Sequence, residues 1–415
     1  MIAVSRKKKR PVRPSIVVVG GAGAMGRITV RDLVETLPPD LDVVVADHNA
    51  AAARKLATSH RPQRSVRAAG VDVEDPRSTA RMLSRENALA VIGAIPHQLN
   101  LPLMQAALDA GVHYCDLGGL FHHTRQQLKL HARFEKKGLL ALVGMGAAPG
   151  VVNVLARWAA DEMEEVHEIH VAVGTVDRSP ERNTAPLAAS YSIQTILDEA
   201  NLPAAVFTGG DWEFIEPMSG EVEVDFGPPV GKRRPACTLH SEVATLPLSY
   251  RHKGVQEVSF RIAFQPELVE KLRFLRALGI SSSVPITVGR GRKARKVVPR
   301  DVLETLLARV RPARTTGVPD EYEVLRAVVR GMRAGRAAED VLECHCPGIP
   351  EWGFGVDVDT GCPPSIAMQL LLKGVITARG VLPPEQAVPC DAFFRELGKR
   401  GMRVQRIQRA AIAAA

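Results

Sequence analysis

The chain is short of cysteine, of aromatic residues and of long apolar runs, and each shortage excludes a class of protein. Six cysteines in 415 residues are too few for a disulfide framework. Only Cys344 and Cys346 stand close together, with Cys362 beyond them, and the paired spacings of a zinc site are absent. Reduced cysteines and no metal are therefore expected. With only 4% aromatics there is little to stack on nucleic-acid bases. No apolar run approaches the roughly 20 residues that cross a bilayer. The opening MIAVSRKKKRPVRP has charge but no apolar stretch before a cleavage site, so it does not read as a secretory leader. A cytoplasmic location is expected.

What is present is an ordinary globular composition, 46% hydrophobic and 24% charged, at a length that predicts two domains. The net charge of +9 sits in two places. Residues 6–13 carry six bases, and 290–300 carry six more (Arg290, Arg292, Lys293, Arg295, Lys296 and Arg300), with no acid in either stretch. Without them the acids slightly outnumber the bases, so the excess belongs to a tail and a surface loop. Nucleic acid is not an expected partner.

From Ser15 the sequence alternates short apolar runs with helical patterns. Strands are expected at 16–19, 43–46, 66–71, 89–95, 112–116 and 139–144, and helices at 50–57, 76–84, 101–110 and 124–137. A further helix carries Val30, Leu33, Val34 and Leu37 on one face and stops at Pro38-Pro39. Strands apolar on both faces, alternating with helices, predict a doubly wound α/β (Rossmann) domain on a parallel sheet. After Gly150 the period becomes two, as in Ile169, Val171, Val173 and in Val258, Phe260, Ile262, Phe264. That predicts an inserted α+β domain on a mixed or antiparallel sheet. Asp301 is expected to cap a helix through Val310. Residues 324–330 and 340–344 suit a hairpin around Gly335, with a helix as the alternative for the first. Ser365–Lys373 and a stretch capped by Asp391 read as helices, and the Ala-rich end as frayed.

Gly21-Ala-Gly23-Ala24-Met25-Gly26 directly follows the first strand and opens the first helix. The glycines allow the tight turn, the approach of a pyrophosphate and close helix–strand packing. The helix N-terminus offers amides and a positive dipole end. Asp47 ends the second strand 21 residues after Gly26, where a carboxylate accepts ribose hydroxyls and repels a 2′-phosphate. NAD is expected on that ground. NADP stays open, because His48 and Arg54 could bring a cation near a phosphate. Ala94 and Pro96 lie at the end of strand four, on the edge where ligands bind. Asn100 either caps the next helix or touches the nicotinamide ribose. Asp72, followed by Val73, either accepts from the adenine amine or only shapes a turn.

Three segments, Gly146-Ala-Ala-Pro149-Gly150, Tyr114-Cys-Asp116-Leu-Gly118-Gly119 and Gly374-Val-Ile-Thr-Ala-Arg-Gly380-Val-Leu-Pro383-Pro384-Glu385, resemble the saccharopine dehydrogenase-like oxidoreductases. The likeness runs from about Ser15 to Gly401. Within the group it looks closest to the L-lysine 6-dehydrogenase branch, with Ala148-Pro149-Gly150 where the saccharopine reductase branch often has Asp-Pro-Gly. The resemblance implies a return of the C-terminal helices to the cofactor domain. The expected division is a disordered basic tail (1–14), a Rossmann domain (15–150 with 356–415) and a substrate-binding and dimerisation domain (151–355). A homodimer acting on an amino acid is implied.

Oxidising a C–N bond moves a hydride to nicotinamide, and the protein must position the substrate and manage protons. His240 and Glu242 are candidates for base and ammonium holder. Tyr191 and Ser192 open a helical stretch with two hydroxyls. Asp116 either faces the cleft at the end of strand five or pins the following turn. His97 follows Pro96 near the expected nicotinamide. Arg233 or Arg234 would fork a substrate carboxylate, unless the cluster is an exposed turn. A lysine-type dehydrogenase leads. The alternatives are a saccharopine- or carboxynorspermidine-type reductase joining an aldehyde to an amine, and a cofactor-binding scaffold without turnover.

Overall fold

The computed structural model describes residues 12–61, 64–179, 187, 192–307, 309–310 and 317–410. The basic run 6–10 and the candidate Tyr191 lie outside the described residues.

The first sheet holds β1 (Ser15–Val19), β2 (Asp42–Asp47), β3 (Val66–Gly70), β4 (Ala88–Gly93), β5 (His113–Asp116) and β6 (Leu140–Leu142), all parallel. Gly380–Leu382 adds a seventh strand beside β6. The spatial order is 380–382, β6, β5, β4, β1, β2, β3, so the order reverses between β1 and β4. A crevice opens at such a switch point. Alternation along β1 explains why the strands read as continuous apolar runs. Ile16 and Val18 enter one core with α1 (Ala24–Thr36), whereas Val17 and Val19 enter another with Leu83, Leu103 and Met104. Both faces are covered.

The remaining helices follow the expected places: α2 (Ala50–His60), α3 (Pro76–Arg85) and α4 (Asn100–Ala110). The helix expected over 124–137 is two, α5 (Leu120–Leu128) and α6 (His131–Lys136). After α7 (Val151–Ala160) the chain enters the second sheet through β7 (Glu165–Asp177). α8 (Ile193–Asn201), β8 (Ala204–Thr208), β9 (Asp211–Ile215), α9 (Glu242–Tyr250) and β10 (Glu257–Ala263) follow. The long strands β11 (Glu321–Arg333) and β12 (Arg336–Cys346) form the hairpin, turning at Ala334 and Gly335, both at positive φ. That turn suits the twist of the pair. The final strand, β13 (Arg403–Ala410), extends this sheet beside β12. Its order is β13, β12, β11, β7, β10, β8, β9; β7 and β10 run parallel and the other pairs antiparallel. The sheet is mixed.

Three expectations differ in detail. The helix at Asp301 begins at Pro299, so Asp301 lies in its first turn. Likewise Pro389 precedes the helix at Asp391. The helix expected from Ser365 begins at Val358 and runs through Pro363 and Pro364. Every residue from Gly361 to Leu371 is buried, and that packing offsets the helix-breaking cost of the prolines.

Candidate functional site

The loop after β1 is shaped for close approach. Gly20 has φ +73°, and a Cβ on Gly26 would stand 2.2 Å from the Gly20 carbonyl oxygen. No side chain caps α1 at Gly23, and no acid occupies its first turn, which holds Ala24 and Met25. An uncapped N-terminus without acids suits a diphosphate, so the residues fit a dinucleotide. Asp47 is 5% exposed; one carboxylate oxygen accepts from the Ala22 amide at 3.1 Å and the other from Asn49 at 2.9 Å. It ties the glycine loop to the end of β2. The His48 ring stands 3.1 Å from Asp47 but is otherwise exposed.

Asp72 is exposed and accepts from the Glu74 amide at 3.0 Å, the bond of an ordinary turn, while Val73 is buried. Ala94 is held to β1 by its amide on the Val19 carbonyl at 2.8 Å. Asn100 does not cap α4. Its amide donates to the Gly118 carbonyl at 2.9 Å, and its own oxygen is buried without a partner among the described residues.

Asp116 does not reach the cleft. It is fully buried and accepts from Tyr114 (2.8 Å), Gln127 (2.6 Å), Gly118 (2.9 Å) and Gly144 (2.7 Å). Burial raises its pKa, and those donors work against the rise. The residue therefore pins the two turns that flank Pro149: a Cβ on Gly118 or Gly144 would fall within 2.9 or 2.8 Å of the Pro149 ring. This corrects the catalytic reading.

His240 and Glu242 do converge, but not as a neutral base. The imidazole is buried, stacked on Phe260 at 3.7 Å, 2.6 Å from Glu242 and 3.6 Å from Glu199. Burial opposes its charge; Glu242 and Glu199 overcome that and push it up to about 10. At neutral pH it is an imidazolium already held by carboxylates. His97 is the reverse case. Burial drives it down to about 4, only partly offset by Asp198 at 3.6 Å, so it is neutral, and its buried Nδ1 has no partner among the described residues. Ser192 caps α8 through the Thr195 amide.

These groups line one cavity of about 620 Å³ between the two sheets. Ala24, Met25, Ala94, Pro96, His97, Gly118 and Pro149 form the cofactor side. Thr175, Ser192, Glu199, His240 and Phe260 belong to the opposite side. Asp177, Glu321, Glu323, Asp357 and Asp359 also line it. No lysine or arginine lines it among the described residues. Arg234 pairs with Glu221, and neither it nor Arg233 reaches the cavity, so neither forks a substrate carboxylate here. Sequence reasoning missed Thr175, Glu323 and Asp359. They come from three distant segments, and only the acid-rich Asp357-Val-Asp359 at the start of a helix offered any signal.

A parallel sheet with its glycine loop at the switch point, facing a second sheet across a lined cavity, defines a nicotinamide-dinucleotide oxidoreductase class. Residues 16–142 match the saccharopine dehydrogenase NADP binding domain, and 146–402 match the saccharopine dehydrogenase C-terminal domain. The chain belongs to the saccharopine dehydrogenase family. It is similar to carboxyaminopropylagmatine dehydrogenase of Synechocystis, 24% identical over 93% of this chain and 96% of the relative. It is also similar to carboxynorspermidine synthase of Vibrio cholerae, 23% identical over 92% and 94%. Its fold matches apo saccharopine dehydrogenase (L-Glu forming) of Saccharomyces cerevisiae, with a TM-score of 0.69 at 17% identity, over 96% of this chain and 100% of that one. Among the described residues no helix is long and apolar enough to cross a membrane.

Proposed function

We propose that the protein reduces the imine formed between an aldehyde and a primary amine, and that the amine carries additional positive charge. The observation that carries this reading is the cavity lining, which among the described residues has five carboxyl side chains from β7, β11 and the start of α10 (Val358–Leu372), with Glu199 a sixth, no lysine or arginine, and as its cation the His240 imidazolium that Glu199 and Glu242 already hold. Low-dielectric walls in which carboxyl groups outnumber cations favour a positively charged guest. The two relatives' names, which describe carboxylated polyamine-type molecules, support the same class. Lysine oxidation is the second reading. Its support is the Ala148-Pro149-Gly150 resemblance; the lack of a described cation for a substrate carboxylate weighs equally on both readings, since a semialdehyde carries one too.

Bound dinucleotide supplies the hydride; the chain's own residues do the rest. The first helix turn holds the diphosphate, and Asp47 stands where the adenosine ribose is read, favouring NADH over NADPH. Condensation of amine with aldehyde releases water, and the amine must first lose a proton. His97, held neutral at the cavity wall, is suited to hydrogen-bond the reacting nitrogen, but with its pKa down at about 4 it is too weak to hold the proton of an alkylammonium, so the amine condenses as its free base. His240, charged at neutral pH, orients Glu199 and Glu242 rather than acting as a base.

Nicotinamide absorbance with purified protein tests this directly. NADH should be consumed only when a short ω-semialdehyde and a diamine are both present, at least tenfold faster than NADPH. Reduction of NAD⁺ by lysine, with no consumption by the aldehyde–amine pair, would replace this reading with the second one.

A further inference from the structure

Asp359 is 2% exposed, yet it lines the cavity, and its Oδ2 accepts no hydrogen bond among the described residues. Its other oxygen accepts only from Thr360 Oγ1 at 3.3 Å. The group beside it is a second carboxyl, Glu323 of β11, which accepts from Thr175 Oγ1. Glu321 and Asp357 stand on the same segments and also line the cavity. Two facing carboxyls have no donor to share unless a proton or a cation lies between them. Burial and the Glu323 charge raise Asp359 well above the carboxylate range, so in the empty protein that place belongs to a proton. Nothing in the described chain brings a lysine or arginine to it.

We propose that Glu323 and Asp359 form the subsite for the substrate's remote cationic terminus, an ammonium or guanidinium at the end of the amine away from the reacting nitrogen. This deepens the imine-reductase reading and rests on it for the identity of the reacting end. The recognition itself is an equilibrium property. The cation replaces the shared proton and receives charge-assisted acceptors in a buried place, where each such bond counts for more than in water. Thr175 fixes the Glu323 rotamer by its hydroxyl. The subsite thus selects amines by the presence of a second charge, not by the reacting amine alone.

Asp359→Asn and Glu323→Gln keep the shape of the side chains, and a neutral amide resembles the proton-holding resting state, so both should fold. NADH affinity, read by fluorescence, checks that they do. Three probes are used: 1,3-diaminopropane, agmatine and propylamine, which share an amine but differ in the far end. In the wild type, kcat/KM with a common aldehyde should favour the two dications over propylamine. In each variant that preference should shrink roughly ten- to a hundredfold, mainly through KM. Agmatine against 1,3-diaminopropane shows whether guanidinium or ammonium is preferred. Preference retained in both variants, or a fall in kcat alone, would overturn the subsite. Calorimetric binding of the same amines to dinucleotide-loaded protein separates the two readings. A dication that binds, loses affinity in the variants and is never turned over would sink the reductase function and leave the subsite standing. Turnover indifferent to the second charge would do the reverse.

Discussion

His240 shows at the scale of one residue how environment overrides type. An imidazole ordinarily titrates near neutral pH, yet this one, between Glu242 and Glu199, is held up at about 10. A pKa raised above the unfolded value adds stability that is complete below about 6.5 and is lost as pH rises through about 10. The protein should therefore lose stability between those limits, by at most about 1.4 kcal/mol per pH unit from this group. His240→Gln should flatten that part of the profile while lowering stability most at the acid end; melting temperatures from pH 6 to 10 would show it, and parallel profiles for the two proteins would refute it. The same residue marks what was legible in the site. The glycine loop and Asp47 are readable because their geometry is local: a strand, a turn, a helix start and the end of the next strand. Asp116 was not, since a carboxylate ending a strand can face the cleft or fold back onto amides, and only the positions of Gly144 and Gln127 decide between them. Glu323 and Asp359 meet only through the tertiary fold.

Between elements, the C-terminal segment is fastened to the first helix by a buried ion pair. Asp32 of α1 is fully buried and takes a bidentate contact from Arg400, whose side chain is 4% exposed, while Ser365 of α10 donates to the same carboxylate. Such a pair adds little over an apolar one, but half of it is costly to leave behind. Asp32→Leu should cost about 3–5 kcal/mol, and Asp32→Leu with Arg400→Met should regain most of that. Denaturant midpoints of the two variants decide it; equal losses would mean that the contact only fills space. Neither partner announced itself, because a pair more than 300 residues apart leaves no periodic trace. Elements were legible where apolar runs carried them, as in β1, β2 and β4. They were misread where breakers are overruled by packing, as at Pro363-Pro364, and passed over in β13. In Arg403–Ala410 the bases equal the apolar residues and both recur every third position, so the strand shows no period-two alternation. It is recruited by the β12 edge and by Arg406, which bridges Glu162 and buried Asp340.

For the molecule as a whole the question is whether two sheets mean two folding units. The sequence divides at Gly150, where the hydrophobic period changes, and the sheets do separate there. The core does not. One continuous cluster runs from Ile16, Val18 and Val43 of the first sheet through Val151, Val154 and Leu155 of α7 and Ile366 of α10. From there it reaches Ile169, Val171, Leu325 and Leu342 of the second sheet. The chain also returns twice after β12, first to the first sheet at Gly380–Leu382 and then to the second at β13. Opening one sheet would expose the shared cluster and strand the other half of it, which makes partial unfolding expensive. Calorimetry of the intact protein should therefore give one endotherm whose van't Hoff and calorimetric enthalpies agree. A chain ended after Met402 should melt lower and still as one unit, because it leaves the β12 edge open and Asp340 with Arg333 in place of two guanidinium partners. The expected coupling also reaches the ligand: NADH, bound at the first sheet, should raise the melting point of the whole protein, not of half of it. Two resolved endotherms, with only the upper or only the lower one moved by NADH, would show that the sheets fold independently and that the shared core is only a contact surface.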